Sequence, residues 1–209
     1  MATQRAQFVK ALDAQAGDFG IELAAGQIQL LADYYELLLK WNERLHLVAP
    51  CSSEEFAVRH ILESLVLLPH FFRGATVVDV GSGGGLPIVP CLLVRPDLRA
   101  TLIESSQRKT VFLREALRAL KPDCASVINM RFEEMDLPRS DFLTCRALDR
   151  FSQLLPLLIQ RAHPNTTLLL FAGDALRKQV ESLVPSARTE RIPLSQKRFL
   201  IIGPADLSL

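Results

Sequence analysis

Three glycines at alternate positions, Gly81, Gly83 and Gly85, follow the apolar run Thr76-Val77-Val78-Asp79-Val80. A carboxylate, Glu104, closes the next apolar run, Ala100-Thr101-Leu102-Ile103. A glycine lets backbone come close to a ligand where a Cβ would block it. A carboxylate at the end of the following strand accepts hydrogen bonds from ribose hydroxyls. Together these features imply a pocket for a nucleoside with a free ribose. Spacing excludes two common nucleotide turns. The Gly-x-Gly-x-x-Gly/Ala turn of NAD sites needs a small residue at 86 or 88, where Leu86 and Ile88 stand. A P-loop needs Gly-Lys-Ser/Thr, which does not follow.

The elements that must carry these groups are legible as alternating patterns. Strands are expected at 75–80, 99–104, 125–129, 141–145, 166–171, 187–192 and 197–202. Helices are expected between them at 86–94, 107–120, 151–162 and 174–183. Strands that alternate with helices predict a mostly parallel sheet covered on both faces. The last two strands are close together, which predicts an antiparallel hairpin at one edge. Before residue 75 the pattern is helical. Leu30, Leu31, Tyr34, Leu37, Leu38, Trp41 and Leu45 recur at helical spacing over Gln27 to Leu45. Ser52-Ser53-Glu54-Glu55 reads as a capping box that opens a second helix, through Phe56, Val58, Ile61, Leu62, Leu65 and Leu68 to Pro69. The expected fold is α/β, with seven strands, an N-terminal helical cap over 1–72 and a ligand-binding sheet domain over 73–209, packed as one unit.

Composition sets wide bounds. The chain has 209 residues, 49% hydrophobic and 22% charged, with a formal net charge of +1. Those values are ordinary for a globular protein and leave room for a local basic face. Cys51, Cys91, Cys124 and Cys145 form no CxxC pair and no cluster with zinc spacing, so no metal is expected. Met1 to Gln7 lacks the apolar core of a secretory signal, and no apolar run reaches the roughly 18 residues needed to cross a bilayer. Reduced thiols in a cytoplasmic monomer are the expectation.

The pattern Asp79-x-Gly81-x-Gly83-x-Gly85 resembles the first motif of class I methyltransferases, Rossmann-like enzymes that bind S-adenosylmethionine (AdoMet). Further segments extend the resemblance. In order they are Lys40-Trp41-Asn42, Val58-Arg59-His60-Ile61-Leu62-Glu63-Ser64-Leu65, Gly85-Leu86-Pro87, Arg95-Pro96, Lys109-x-x-Phe112-Leu113-Arg114, Arg131-Phe132-Glu133-Glu134 and Cys145-Arg146-Ala147. As an ordered set over roughly residues 30 to 172, they resemble the bacterial 16S ribosomal RNA guanine-N7 methyltransferase family, also called glucose-inhibited division protein B.

The resemblance implies AdoMet as cofactor and 16S ribosomal RNA, or a precursor of the small subunit, as partner. It implies that Gly81 and Leu86 line the AdoMet pocket, with Gly83 and Gly85 in the same turn. Glu104 would hold the ribose, Phe132 and Glu133 would lie beside the adenine, and Arg146 near the methionine end and the target base. Guanine N7 is an unprotonated nucleophile, so no dedicated general base is expected and catalysis is alignment. The chain departs from the family pattern at Ile88, at His46-Leu47-Val48 and at Ala172, where a lysine usually supplies a cation. Those departures bear on RNA contacts more than on AdoMet. They leave open a small molecule or protein substrate on the same fold, or an RNA-binding relative without turnover.

Other residues carry two readings each. Arg146 closes a strand where parallel-sheet ligands bind; a surface salt bridge is the alternative. His60 is a helix-packing residue or a site residue. Glu133-Glu134 reads as one residue at the pocket and one in solvent rather than a metal pair. Trp41 reads as core. Asp79 braces the glycine turn, reaches an ammonium through water, or does both. Arg108, Lys109, Arg114 and Arg118 form either a solvated helix face or a phosphate contact.

Overall fold

The computed structural model describes residues 3–120, 124–146 and 150–205. Ala147, the last member of the Cys145-Arg146-Ala147 motif, lies outside them. Seven strands form one sheet: β1 (Thr76–Val80), β2 (Arg99–Ile103), β3 (Ala125–Ile128), β4 (Phe142–Cys145), β5 (Thr167–Ala172), β6 (Arg188–Arg191) and β7 (Phe199–Pro204). Their spatial order is β3-β2-β1-β4-β5-β7-β6. The first five are parallel, while β7 runs antiparallel to both β5 and β6. The edge hairpin expected from the sequence is therefore present, with β7 inserted between β5 and β6. Chain order reverses between β1 and β4, and a ligand crevice opens at the carboxyl ends of the strands at such a point.

Successive strand residues face opposite layers, and apolar residues on both faces explain why β1, β2, β4, β5 and β7 are largely buried, while β3 and β6 at the two edges are not. Val77, Ala100, Leu102, Leu169 and Leu200 belong to one core cluster, and Val78, Ile103, Leu143, Leu168 and Ile201 to the other. The first cluster continues without a break into the N-terminal helices α1 (Gln4–Gln15) and α2 (Ala25–Leu45). There α2 packs on α5 (Ile88–Val94) and α6 (Gln107–Leu120), and α1 packs on α2. On the opposite face lie α7 (Phe151–Arg161) and α8 (Asp174–Leu183). Among the described residues no helix is long and apolar enough to cross a membrane.

The second N-terminal helix departs from its expected form. Ser52 caps it as the sequence implies, accepting from the Glu55 N–H at 3.1 Å. The helix is then divided into α3 (Ser53–Phe56), a π-helical stretch Ala57–Leu62 and α4 (Glu63–Leu65), with a 3₁₀ turn Leu68–His70 at Pro69. The wider π turn keeps Ala57, Ile61 and Leu62 buried and leaves Arg59 exposed and His60 half-buried. The helix expected from residue 86 begins at Ile88, because the glycine turn continues through Leu86 and Pro87 takes the cap position.

Gly85 shows why that turn requires glycine. Its φ is +84°, and an added Cβ would lie 2.6 Å from Val89 Cγ2 and 3.2 Å from Val89 Cβ. Val89 is β-branched and fully buried, so it cannot move aside. Gly85→Ala is expected to lower stability by about 2–4 kcal/mol, from left-handed backbone strain and overpacking together. A urea unfolding midpoint shifted to lower concentration would register this; an unchanged midpoint would contradict it.

Candidate active site

A cavity of about 530 Å³ opens at the carboxyl ends of β1, β2 and β4. Gly81, Gly83, Leu86, Glu104, Phe132, Glu133 and Arg146 all line it, so the fold gathers seven of the eight sequence-named residues into one space. Gly85 does not line it, and its contact with Val89 assigns it to the turn and α5 instead.

Glu104 is buried and does two things at once. Its Oε2 accepts from the Gly83 N–H at 2.9 Å and its Oε1 from the Ser106 N–H at 2.7 Å. The β2 end also receives the N–H groups of Gly81 and Ser82, both on the Ile103 carbonyl. The glycine turn is thus strapped to β2 chiefly by Glu104 and Ile103. An ionised carboxylate has about four acceptor positions, so capacity remains for ribose hydroxyls. Gly83, with φ +52°, would bring an added Cβ only to the Gly81 carbonyl, at 3.7 Å, which keeps that side of the turn open.

Asp79 lies one layer beneath the cavity. Its Oδ1 accepts from Thr144 Oγ1 at 2.7 Å, tying β1 to β4, and its backbone carbonyl accepts from Ser82 Oγ at 3.0 Å. Oδ2 is buried with no hydrogen-bond partner among the described residues. Burial pushes the carboxyl up to about 7; the Ser82 and Thr144 hydroxyls oppose the shift and Glu104 adds to it. A carboxyl raised in the fold stabilises the protein fully below its unfolded pKa, near 3.8, and that contribution is lost as pH rises through about 7. Wild-type stability is therefore expected to fall by a few kcal/mol between about pH 4 and pH 7 from this residue. Asp79→Asn, which stays neutral, is expected to lose that decline. Thermal unfolding of both proteins across the range checks it, and parallel profiles would contradict it.

Arg146 occupies a buried salt bridge, not a surface one. Its Nη2 donates to the Arg59 carbonyl at 2.6 Å and to Glu63 Oε2 at 3.3 Å, and its guanidinium lies 5.3 Å from the centre of the Phe171 ring. The Glu63 side chain is 1% exposed and that of Arg146 16%. Burial pushes the Glu63 carboxyl up, opposed by Arg146 and Arg198. Burial also pulls the Arg146 guanidinium down, opposed by Glu63. Arg198 Nη2 lies against Glu63 Oε1 as an ion pair without hydrogen-bond angles. Arg198 precedes Phe199, the β7 partner of Ala172 on β5. A cation therefore stands beside the strand end where the sequence lacks the expected lysine.

Several positioning groups were not visible in the sequence. Tyr34, which reads as part of an apolar stripe, is buried and donates its hydroxyl to the Gly84 carbonyl, pinning the glycine turn to α2. Asn42 holds Val48 through both its amide groups, at 3.1 and 2.9 Å, so that Leu47, Val48 and Ala49 form a cavity wall. Arg161, from α7, donates to the carbonyls of Glu133 and Met135 at 3.2 and 3.3 Å and steadies the turn at Phe132. Asn42 stands in the Lys40-Trp41-Asn42 segment named above, but its bond to Val48 was not legible there, and an arginine in a helix's last turn is too common to single out.

The remaining double readings divide. Trp41 packs against the core, edge-on to Phe112 at 5.9 Å. On α6, Arg118 pairs with Glu115 in solvent, whereas Lys109 reaches the cavity wall. Glu133 lines the cavity and Glu134 is exposed. His60 lines the cavity. The four cysteines form no disulfide.

Residues 27–200 match the family described as rRNA small subunit methyltransferase G, GidB. A "Ribosomal RNA small subunit methyltransferase G" of Xanthomonas campestris pv. campestris (strain B100) is 38% identical over 154 residues, 73% of this chain and 72% of that protein. One of the same name from Neisseria meningitidis serogroup C (strain 053442) is 34% identical over 171 residues, 82% of this chain and 78% of that protein. Among solved structures, a SAM dependent methyltransferase from Aquifex aeolicus superposes with a TM-score of 0.55 at 17% identity, covering 72% of this chain and 93% of that one. At that identity the likeness concerns the fold.

Proposed function

This chain belongs to the GidB family of rRNA small subunit methyltransferases G, and on that premise we propose that it transfers the methyl group of AdoMet to N7 of a guanine in 16S ribosomal RNA. The observation that carries the proposal is the cavity at the β1–β4 reversal. It has a carboxylate and glycine turn on one side and a fixed guanidinium on the other. The residues present fit AdoMet. Glu104 retains acceptor positions for two ribose hydroxyls, the buried Phe132 offers an apolar edge to adenine, and the Gly81–Gly84 backbone leaves space where side chains would intrude. When bound, AdoMet supplies an electrophilic methyl group on a sulfonium.

The protein's own groups then hold and align. Glu104 orients the ribose while it straps the turn. Phe132, with Glu133 held through its carbonyl by Arg161, flanks the adenine. Arg146 faces the methionine carboxylate or guanine O6, both acceptors suited to a guanidinium. Asp79 does not line the cavity, so any contact with the methionine ammonium runs through water. Guanine N7 carries its lone pair without losing a proton, so fixed geometry supplies the acceleration. Arg198 supplies the cation that β5 lacks at Ala172.

Every residue in this reading comes from one chain, so a monomer suffices. The unbroken core between the N-terminal helices and the sheet supports a single folding unit. An enzyme of 16S ribosomal RNA works where bacterial ribosomes are assembled, in the cytoplasm. The test is incubation of purified protein with AdoMet and small-subunit RNA or particles, followed by mass spectrometry of the released nucleosides. The expected product is 7-methylguanosine. Methyl groups found only in protein or small molecules would contradict the proposal.

A further inference from the structure

We propose that His60 is a specificity-determining residue that hydrogen-bonds the target base, its unprotonated ring nitrogen accepting from guanine N1–H. The proposal rests on the guanine-N7 reading above and names the residue of the cavity that recognises the base. His60 lines the cavity from the π-helical stretch, next in sequence to Arg59, whose carbonyl accepts from Arg146 Nη2 at 2.6 Å. Its ring is held from behind by the buried Phe56, with centroids 4.9 Å apart. Its backbone carbonyl is engaged by Ser64 Oγ, but its ring nitrogens have no hydrogen-bond partner among the described residues. A half-buried ring, packed on Phe56 and with free hydrogen-bonding capacity, therefore borders the space a substrate must enter. The π-helical stretch Ala57–Leu62 carries it, and π turns recur at functional sites.

Charge explains why this residue, and not a neighbour, reads the base. The polar groups around it are cations or already paired. Arg146, Arg59 and Arg198 only donate, which suits guanine O6 but not N1–H. Glu63 accepts but is 1% exposed and faces Arg146 and Arg198. Burial first, then the nearby Arg146 and Arg59, lower the imidazole to about 4, with Glu55 opposing and Arg198 adding. At neutral pH the ring is uncharged and keeps one acceptor nitrogen. Guanine presents a donor at N1 and adenine an acceptor, so an acceptor at this position discriminates between them. It does so on the edge away from N7, which stays open to the methyl group.

The experiment uses the full chain with a small-subunit RNA substrate and compares wild type, His60→Ala and His60→Gln. Three quantities are read: kcat/KM for RNA, AdoMet affinity by calorimetry, and thermal midpoint. His60→Ala is expected to lower kcat/KM for RNA by about tenfold to a hundredfold, the scale of a misplaced substrate, with AdoMet affinity and midpoint unchanged. His60→Gln, which restores an acceptor oxygen, is expected to recover part of the loss. Undiminished transfer by His60→Ala, or a parallel loss of AdoMet affinity, would overturn the proposal alone. No transfer by wild type would overturn the guanine-N7 reading and this one with it.

Discussion

Replacing Arg146 with alanine is expected to reduce methyl transfer by about a hundredfold or more and to lower stability by about 2–4 kcal/mol. Both effects follow from one arrangement. Arg146 joins the end of β4 to the π-helical stretch through the Arg59 carbonyl and to Glu63, and it lies over Phe171. Removing it leaves a carboxylate that is 1% exposed with Arg198 as its remaining cation. A buried charge that loses a partner is costly because water cannot replace what was lost. Arg198 keeps the cost below that of an isolated charge. The catalytic loss has a different source, since the alanine variant has no donor fork for the methionine carboxylate or guanine O6. Arg146→Lys separates the two. Its ammonium can still pair with Glu63, so stability is expected to recover more than activity, because a point charge does not reproduce the planar fork. Transfer assays and urea unfolding on the two variants provide the comparison. Full activity in Arg146→Ala would remove Arg146 from the chemistry and leave it a structural ion pair.

Glu104→Ala is expected to weaken AdoMet binding by about a hundredfold or more. Two hydrogen bonds from ribose hydroxyls to a charged acceptor are worth about 1.5–3 kcal/mol each, and each 1.4 kcal/mol is a factor of ten. The same change releases the Gly83 and Ser106 N–H groups from their acceptor, so the turn loosens as the ligand contact disappears. Glu104→Gln is an informative intermediate. Its amide oxygen can satisfy one of those N–H groups, but its NH₂ then faces the other donor. We expect it to lie closer to alanine than to wild type in calorimetric titration. Equal AdoMet affinity in all three proteins would show that the ribose is held elsewhere.

Much of the site could be read from the chain because its signals are local. Gly81, Gly83 and Glu104 announce themselves through spacing, since a strand, a glycine turn and a second strand end form one contiguous unit. The antiparallel edge hairpin was legible for the same reason. Its insertion of β7 beside β5 was not, because strand order depends on which neighbours bury best. Gly85 belongs to the same motif, yet its reason is the contact with Val89, which spacing cannot distinguish from a ligand contact. The π-helical stretch was hidden because Phe56, Ile61, Leu62 and Leu65 fit an ordinary helix almost as well. Long-range partners were the main omission. Tyr34 reaches Gly84 across 50 positions and Arg146 reaches Glu63 across 83. The role of Arg198 depends on strand pairing, which places it at the end of β5. The departure at Ala172 was thus legible, while the Arg198 guanidinium near that strand end was not.

A crystal structure of the protein with S-adenosylhomocysteine, the product of methyl donation, would test most directly the claim that the cavity at the β1–β4 reversal is the AdoMet site. Ribose hydroxyls are expected within hydrogen-bond distance of Glu104, adenine against Phe132, and the thioether sulfur facing the space between Arg146 and His60. A ligand bound outside this cavity, or one whose ribose makes no contact with Glu104, would contradict it.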